Sequence, residues 1–467
     1  MQRRDFMLAT AAAAAPWRAL ASWRPLLRST EATLAVAGQA ALPVWSYDGR
    51  VPGTTLRLRR GESIDFDFHN ALPVASTIHW HGLRLPNAMD GVPHLTQDPV
   101  APGARFHYRF EALDSGTFWY HPHLGTPEQV DRGLYGALIV EDDAPPSVDR
   151  EWLWVLDDWR LDADGRIVDD FYDYMDVSHA GRLGRTLTIN GQPPTAHPAR
   201  SGERLRLRLV NAANARIFAL RFGTAASWLI ALDGHPLAQA VSLDGPLLIG
   251  PGMRADVVLD LAADAGRAEV VDVFGRARHV LATIEHTGSA LTAANGRAAP
   301  VPPRANALPE PVLDGALSKP MRLGGGMMNM SGWPDDPWNE RLARRLRRLG
   351  GAREADPVWT INGEAHMRHD ASHAPAFEVD RGRSVVLRFE NASAFWHPMH
   401  LHGHAFVELR RNRRDSRLRP WRDTTLLAPR DVVDVAFVAE NPGDWLIHCH
   451  VLEHHAGGMG TFFRVRD

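Results

Sequence analysis

One strand pattern occurs three times in this chain and limits its fold more than any other feature. The segments Gly61 to Asn70 (GESIDFDFHN), Gly202 to Asn211 (GERLRLRLVN) and Gly382 to Asn391 (GRSVVLRFEN) each begin with a Gly turn and alternate apolar with polar residues. Each places an Asn the same distance after the Gly, from 61 to 70, 202 to 211 and 382 to 391. Alternation with period two marks a half-buried strand. Its return at domain-sized intervals predicts three copies of one β-domain. Ile189-Asn190-Gly191 and Ile361-Asn362-Gly363 precede the second and third copies at similar distances. Short β-rich runs such as Leu138-Ile139-Val140 and Ala255 to Leu259 lie between Gly, Pro and Asp turns, the spacing of sandwiches or barrels. A chain of 467 residues suits two to four domains. The expected division is 30–145, 146–298 and 358–467. The Pro/Gly-rich stretch 299–357 is read as a linker carrying one short helix, Asn339 to Leu349.

The first residues read as a signal rather than as fold. Arg3-Arg4 form a twin-arginine pair, an Ala-rich run follows from Ala9 to Ala15, and Ala19-Leu20-Ala21 offers a small-residue cleavage site. Residues 1–21 are thus expected to direct export of the folded protein through the twin-arginine machinery to the periplasm. The apolar run is too short to span a bilayer, which needs about 20 residues, and no later stretch suggests a stable membrane span. A formal net charge of -3 gives no reason to expect a nucleic-acid partner.

Histidine and cysteine are distributed unusually. The chain has 23 His but one Cys, Cys449, so no intrachain disulfide can form. Four His motifs fall in two distant pairs: His79-Trp80-His81-Gly82 with His121-Pro122-His123, and His397-Pro398-Met399-His400-Leu401-His402 with His448-Cys449-His450. On a strand, His-x-His puts both rings on one face. Strands from two domains can therefore direct His79, His81, His121, His123, His400, His402, His448 and His450 into one cleft. That many imidazoles exceed the needs of one ion, so a polynuclear site is expected. His397, Cys449, His454 and Met459 form a His2Cys set with a thioether, the donor set of a blue-copper electron-transfer site. Zinc, the rival metal for Cys and His, favours four strong ligands and gains little from Met. Scattered residues such as His107, His179, His197, His235, His279 and His286 are read as ordinary core or surface histidines.

These motifs resemble the four copper-binding signatures of the multicopper oxidases, and the H-C-H-x3-H-x4-M spacing from His448 to Met459 is among the most specific of them. The resemblance implies an all-β fold of three cupredoxin-like Greek-key β-barrel domains, with the site between the first and third. It implies four copper ions: type 1 on His397, Cys449, His454 and Met459; type 2 on His79 and His400; a type 3 pair on His81, His121, His123, His402, His448 and His450. It further implies that electrons from a small reducing substrate enter at type 1, near the His454 edge, and pass through Cys449 to the cluster, where O2 is reduced to water. Asp90, eleven residues after His79, stands where related bacterial enzymes carry a proton-delivering acid; the competing reading is a plain Asp-Gly turn. Several relatives also have an acid directly after the last type 1 His. Here that place is taken by His455.

The substrate is expected to be phenolic or aromatic, as in laccases. Oxidation of Cu(I) or Mn(II) is the alternative; Met327, Met328 and Met330 read first as a flexible apolar loop and second as a port for a soft cation, and Asp335 and Asp336 first as solvated loop acids and second as aids to binding a hard one. A reading of another class is a non-catalytic scaffold or copper-storage relative. Filled ligand positions argue against the scaffold, and the His-Cys-His bridge is superfluous for storage.

Overall fold

The computed structural model describes residues 26–224, 226–288, 297–327, 357–366 and 373–467. The twin-arginine segment, the expected helix from Asn339 to Leu349, Met328, Met330, Asp335 and Asp336 lie outside these residues. The described chain is mostly strand, and its sheets come in three facing pairs. Sheets of four and four strands hold residues 26–141, sheets of six and five hold 150–287, and sheets of seven and five hold 317–466. Among the described residues no helix is long and apolar enough to cross a membrane.

The three repeated strands occupy equivalent places. Ser63–Asn70 runs parallel to Leu26–Val36 and antiparallel to Arg105–Glu111. Arg204–Asn211 has the same relation to Arg150–Trp159 and Arg254–Asp260, and Ser384–Asn391 to Leu317–Gly325 and Val432–Val438. The recurrent Asn has one task in each copy. Asn70 donates through Nδ2 to the Val74 and Val100 carbonyls and accepts from the Leu72 amide. Asn211 bonds Arg216, Ile249 and Ala213 in the same way, and Asn391 bonds Phe395, Ala428 and Ser393. A short amide thus satisfies buried backbone groups where the strand ends, which explains its fixed distance from the Gly turn.

Asn190 and Asn362 also match. Both have positive φ, and each bonds the backbone of the neighbouring strand, at Val155 and Arg322 respectively. The first unit has the same turn at Asp48, with φ 54° and a carboxylate accepting from the Arg28 amide at 2.9 Å. It carries no Ile-Asn-Gly signature because Asp replaces Asn, in Tyr47-Asp48-Gly49.

The expected linker over 299–357 requires correction. Leu317–Gly325 within it is a full strand of the third unit, paired with Ser384–Asn391 and, at Leu323 to Gly325, with Trp359–Ile361. Pro320 and the Gly324-Gly325-Gly326 run give this strand the composition of a loop. Pro320 is tolerated because the strand has only one neighbour at that point.

Candidate metal centre

Strand alternation sorts the donors into two places. In His79–His81, Trp80 enters the apolar core while His79 and His81 face the other way. His79 stands opposite His121 in the antiparallel pair. In the third unit His400 is in register with His448, and Met399 with Cys449. Met399, Leu401, Ile447 and Cys449 belong to the same core, so His400, His402, His448 and His450 point outward toward the first unit. All twelve predicted donors are buried, none more than 5% exposed.

The first set lies inside the third unit. Cys449 Sγ is 3.5 Å from His397 Nδ1 and 3.6 Å from His454 Nδ1, and the two nitrogens are 3.1 Å apart. Each ring is turned by a bond on its other nitrogen, His397 Nε2 with Ser393 Oγ at 2.6 Å and His454 Nε2 with the His179 carbonyl at 2.7 Å. Met459 is fully buried, and its backbone bonds both Cys449 and His454. The His454 edge expected to meet substrate is thus covered by the His179 peptide, a role for that segment that sequence inspection missed. Burial pushes the Cys449 thiol up, so a bound cation is needed to hold the thiolate there.

The second set joins the first and third units. His402 Nε2 and His123 Nε2 lie 3.1 and 3.4 Å from His448 Nε2. His81, His121 and His450 form a neighbouring group, with ring centroids 4.9 to 5.8 Å apart. His79 and His400 are 5.7 Å apart by the same measure. Burial pushes the imidazoles of His81, His121, His397, His400, His402, His448 and His450 below their ordinary value, and His454 down to about 3. All are therefore neutral near pH 7, the form that binds metal.

The outward nitrogens are fixed by protein groups. His79 Nδ1 donates to the Asp90 carbonyl at 2.8 Å, His402 Nδ1 to Asp90 Oδ2 at 2.8 Å, His448 Nδ1 to the Cys449 carbonyl at 2.9 Å and His121 Nδ1 to the Pro122 carbonyl at 2.9 Å. What remains is a set of buried nitrogens with no hydrogen-bond partner: His79 Nε2, His81 Nδ1, His121 Nε2, His400 Nε2 and both of His450. Buried polar atoms are rarely left unpaired. Several neutral imidazoles with inward lone pairs fit metal ions of the kind imidazole prefers, and the thiolate-imidazole-thioether set fits copper.

Asp90 is a positioning acid as well as a turn residue. At Gly91 φ is 83°, and a Cβ there would overlap the Ile78 carbonyl, so the Asp-Gly turn presses Asp90 against both His79 and His402. Asp423 was missed. From sequence, Trp421 to Thr424 reads first as a structural hairpin and second as a border of the type 1 pocket. The carboxylate instead lies beside the second set, Oδ1 being 3.1 Å from His81 Nε2 and 3.3 Å from His400 Nδ1. Burial alone would push it up, but Arg254 holds it well below the usual carboxylate range. The His455 ring lies tilted against His448 at 4.4 Å and approaches His123 at 5.2 Å.

Multicopper oxidase family models match residues 28–145 and 344–467. The crystal structure of a multicopper oxidase from Pseudomonas thermotolerans is 30% identical and superimposes with a TM-score of 0.82 over 95% of this chain and 99% of that one. The chain belongs to the multicopper oxidase family. Lac15, from a marine microbial metagenome, is 32% identical with a TM-score of 0.72, covering 94% of this multicopper oxidase and 99% of that chain. The multicopper oxidase MmcO of Mycobacterium tuberculosis is 29% identical over 468 residues, 89% of this chain and 82% of that relative. Members of the family are copper-dependent oxidoreductases that use O2, and the three sheet pairs are its cupredoxin-like domains.

Proposed function

We propose that this multicopper oxidase couples one-electron oxidation of a phenolic or aromatic substrate to four-electron reduction of O2 to water. Four copper ions would supply the redox chemistry: type 1 on His397, Cys449, His454 and Met459, type 2 on His79 and His400, and the type 3 pair on His81, His121, His450 and on His123, His402, His448. The observation that carries this reading is the His448-Cys449-His450 segment. Its thiol joins His397 and His454 in a three-donor set inside one domain while both neighbouring imidazoles face the interdomain cluster. The bond from His448 Nδ1 to the Cys449 carbonyl adds a second short connection between the two sets. Asp90, whose carbonyl accepts from His79 and whose carboxylate accepts from His402, would orient both rings and supply protons for O2 reduction, which consumes them. Burial of every donor keeps bulk water from the cluster.

Substrate choice rests on the surface over His454. His179 and Phe395 are half-buried and pack edge-on at 5.7 Å, with the fully buried Trp359 behind Phe395, so an aromatic donor would meet these two rings beside the covered His454 edge. One observation favours a second reading, oxidation of Cu(I): Met175 and Met327 are 56% and 45% exposed, Met327 bonds the Tyr174 hydroxyl, and Met175 bonds His179 through its carbonyl. Steady-state rates on a dimethoxyphenol, Cu(I) and Mn(II), measured side by side with O2 uptake, decide. The first reading expects the highest kcat/KM on the phenol without added copper; higher values on Cu(I), lost in a Met175→Leu/Met327→Leu variant, would overturn it. We also propose periplasmic residence through twin-arginine export, which Arg3→Lys/Arg4→Lys should abolish; unchanged periplasmic yield would contradict it.

A further inference from the structure

The middle domain contributes none of the twelve donors, yet it reaches the cluster. Its strand Arg254–Asp260 begins with an arginine that is fully buried. Arg254 donates from Nη1 to Asp423 Oδ1 at 2.8 Å and from Nη2 to Asp423 Oδ2 at 2.5 Å, a two-pronged grip on the carboxylate. The guanidinium is itself fixed. It donates to the carbonyls of Asp233, Gly252 and Thr117 and lies over the Phe118 ring. The Arg254 amide is held by Asp233 Oδ1 at 2.9 Å.

Asp423 and its neighbour Thr424 are what the two histidines bond on their outward sides. His81 Nε2 is 3.1 Å from Asp423 Oδ1 and 3.3 Å from Thr424 Oγ1; His400 Nδ1 is 3.0 Å from the Asp423 carbonyl. An ionised carboxylate and a carbonyl only accept, so each facing ring nitrogen carries the hydrogen. His81 Nδ1 and His400 Nε2, which have no hydrogen-bond partner, are then the lone pairs turned to the cluster. Asp423 Oδ1 also accepts from Thr424 Oγ1 at 2.8 Å, so this carboxylate is already occupied and acts behind the histidines rather than as a donor to metal.

Two glycines record the same approach. A Cβ at Gly82, where φ is 88°, would collide with the Arg254 guanidinium and Asp423 Oδ2, which is why Gly follows His81. A Cβ at Gly252, in the turn preceding Arg254, would collide with the His450 ring.

We propose that Arg254 is a positioning residue for the interdomain cluster, its grip on Asp423 setting which nitrogens of His81 and His400 face the metal. The inference rests on the four-copper reading above. Arg254→Met leaves Asp423 without the grip, while Arg254→Lys keeps the charge but cannot span both carboxylate oxygens. Both variants, the parent and Arg206→Lys are loaded with copper, dialysed against graded chelator, and read by copper per chain, type 2 electron paramagnetic resonance and the type 1 absorption. Arg206 is an equally buried arginine of the adjacent strand that pairs with Asp256 and Asp142, away from Asp423. The expected result is type 1 absorption retained in every variant, with type 2 copper lost from Arg254→Met and Arg254→Lys at about 10- to 100-fold less chelator than from the parent or Arg206→Lys. Parent-like retention and type 2 signal in Arg254→Lys would overturn the proposal, as would equal losses in Arg254→Lys and Arg206→Lys. A parent that never shows a type 2 signal would instead refute the four-copper reading. If Arg254→Met does not fold, the Lys pair decides.

Discussion

Replacing Asp90 by Asn separates the two roles that the structure gives this carboxylate. The backbone carbonyl that accepts from His79 Nδ1 is untouched by the change, and a correctly turned Asn can still accept from His402 Nδ1. What is lost is charge. A hydrogen bond to an ionised group contributes about 1.5–3 kcal/mol against about 0.5–1.5 for a neutral one, so the deficit is roughly 1–1.5 kcal/mol. That corresponds to about tenfold in copper affinity, at the lower end of the effects expected for residues that orient metal-binding histidines. Saturating copper should therefore restore full loading and the type 1 absorption. Proton delivery cannot be restored in this way, because an amide does not exchange a proton at neutral pH. Positioned acids and bases contribute about 10²- to 10⁴-fold, so reoxidation of the fully reduced, copper-saturated variant by O2 should slow about 100-fold or more in stopped-flow absorption. Reoxidation at the parent rate would refute the proton role. Parent-like chelator resistance would refute the positioning role.

Cys449→Ser should remove the intense thiolate-to-copper absorption and all oxidase turnover while interdomain copper remains; residual turnover with the parent kcat would break the proposed connection through this segment. Asn211→Ala removes three hydrogen bonds that serve buried backbone groups and should lower unfolding free energy by about 2–4 kcal/mol in denaturant titration; a change under about 0.5 kcal/mol would show that the repeated Asn has no such task. Burial pushes the Glu453 carboxyl up to about 7, so the folded chain binds its proton more tightly than the unfolded chain does. Stability from this group is present at acid pH and lost as pH rises from the unfolded value of about 4.5 through about 7, by about 3 kcal/mol in all. Apo-protein Glu453→Gln should lack that fall between pH 5 and 8, whereas a fall equal to that of the parent would assign it to other groups.

The sequence was most legible where periodicity and donor chemistry coincide. Alternation in Ser63–Asn70 and its two counterparts announced the strands, and His-x-His on such strands announced facing rings. Asp48 was hidden because a different side chain performs the same turn. Leu317–Gly325 was hidden because Pro and Gly gave an edge segment the composition of a loop. Asp423 and Arg254 could not be found by spacing at all. They are 169 positions apart, and their meeting depends on how the middle domain packs against the third. The outward bond of His454 to the His179 carbonyl is equally non-local, and a backbone acceptor leaves no residue signature.

On the proposed reading, two donor sets joined at Cys449 hold different kinds of copper in one chain. Elemental analysis of the native, copper-loaded protein, combined with its absorption and electron paramagnetic resonance spectra, tests it most directly. The expected result is four copper ions per polypeptide, with both type 1 and type 2 signals and a further pair silent in resonance. One ion or none per polypeptide, or full loading without the type 1 band, would contradict it.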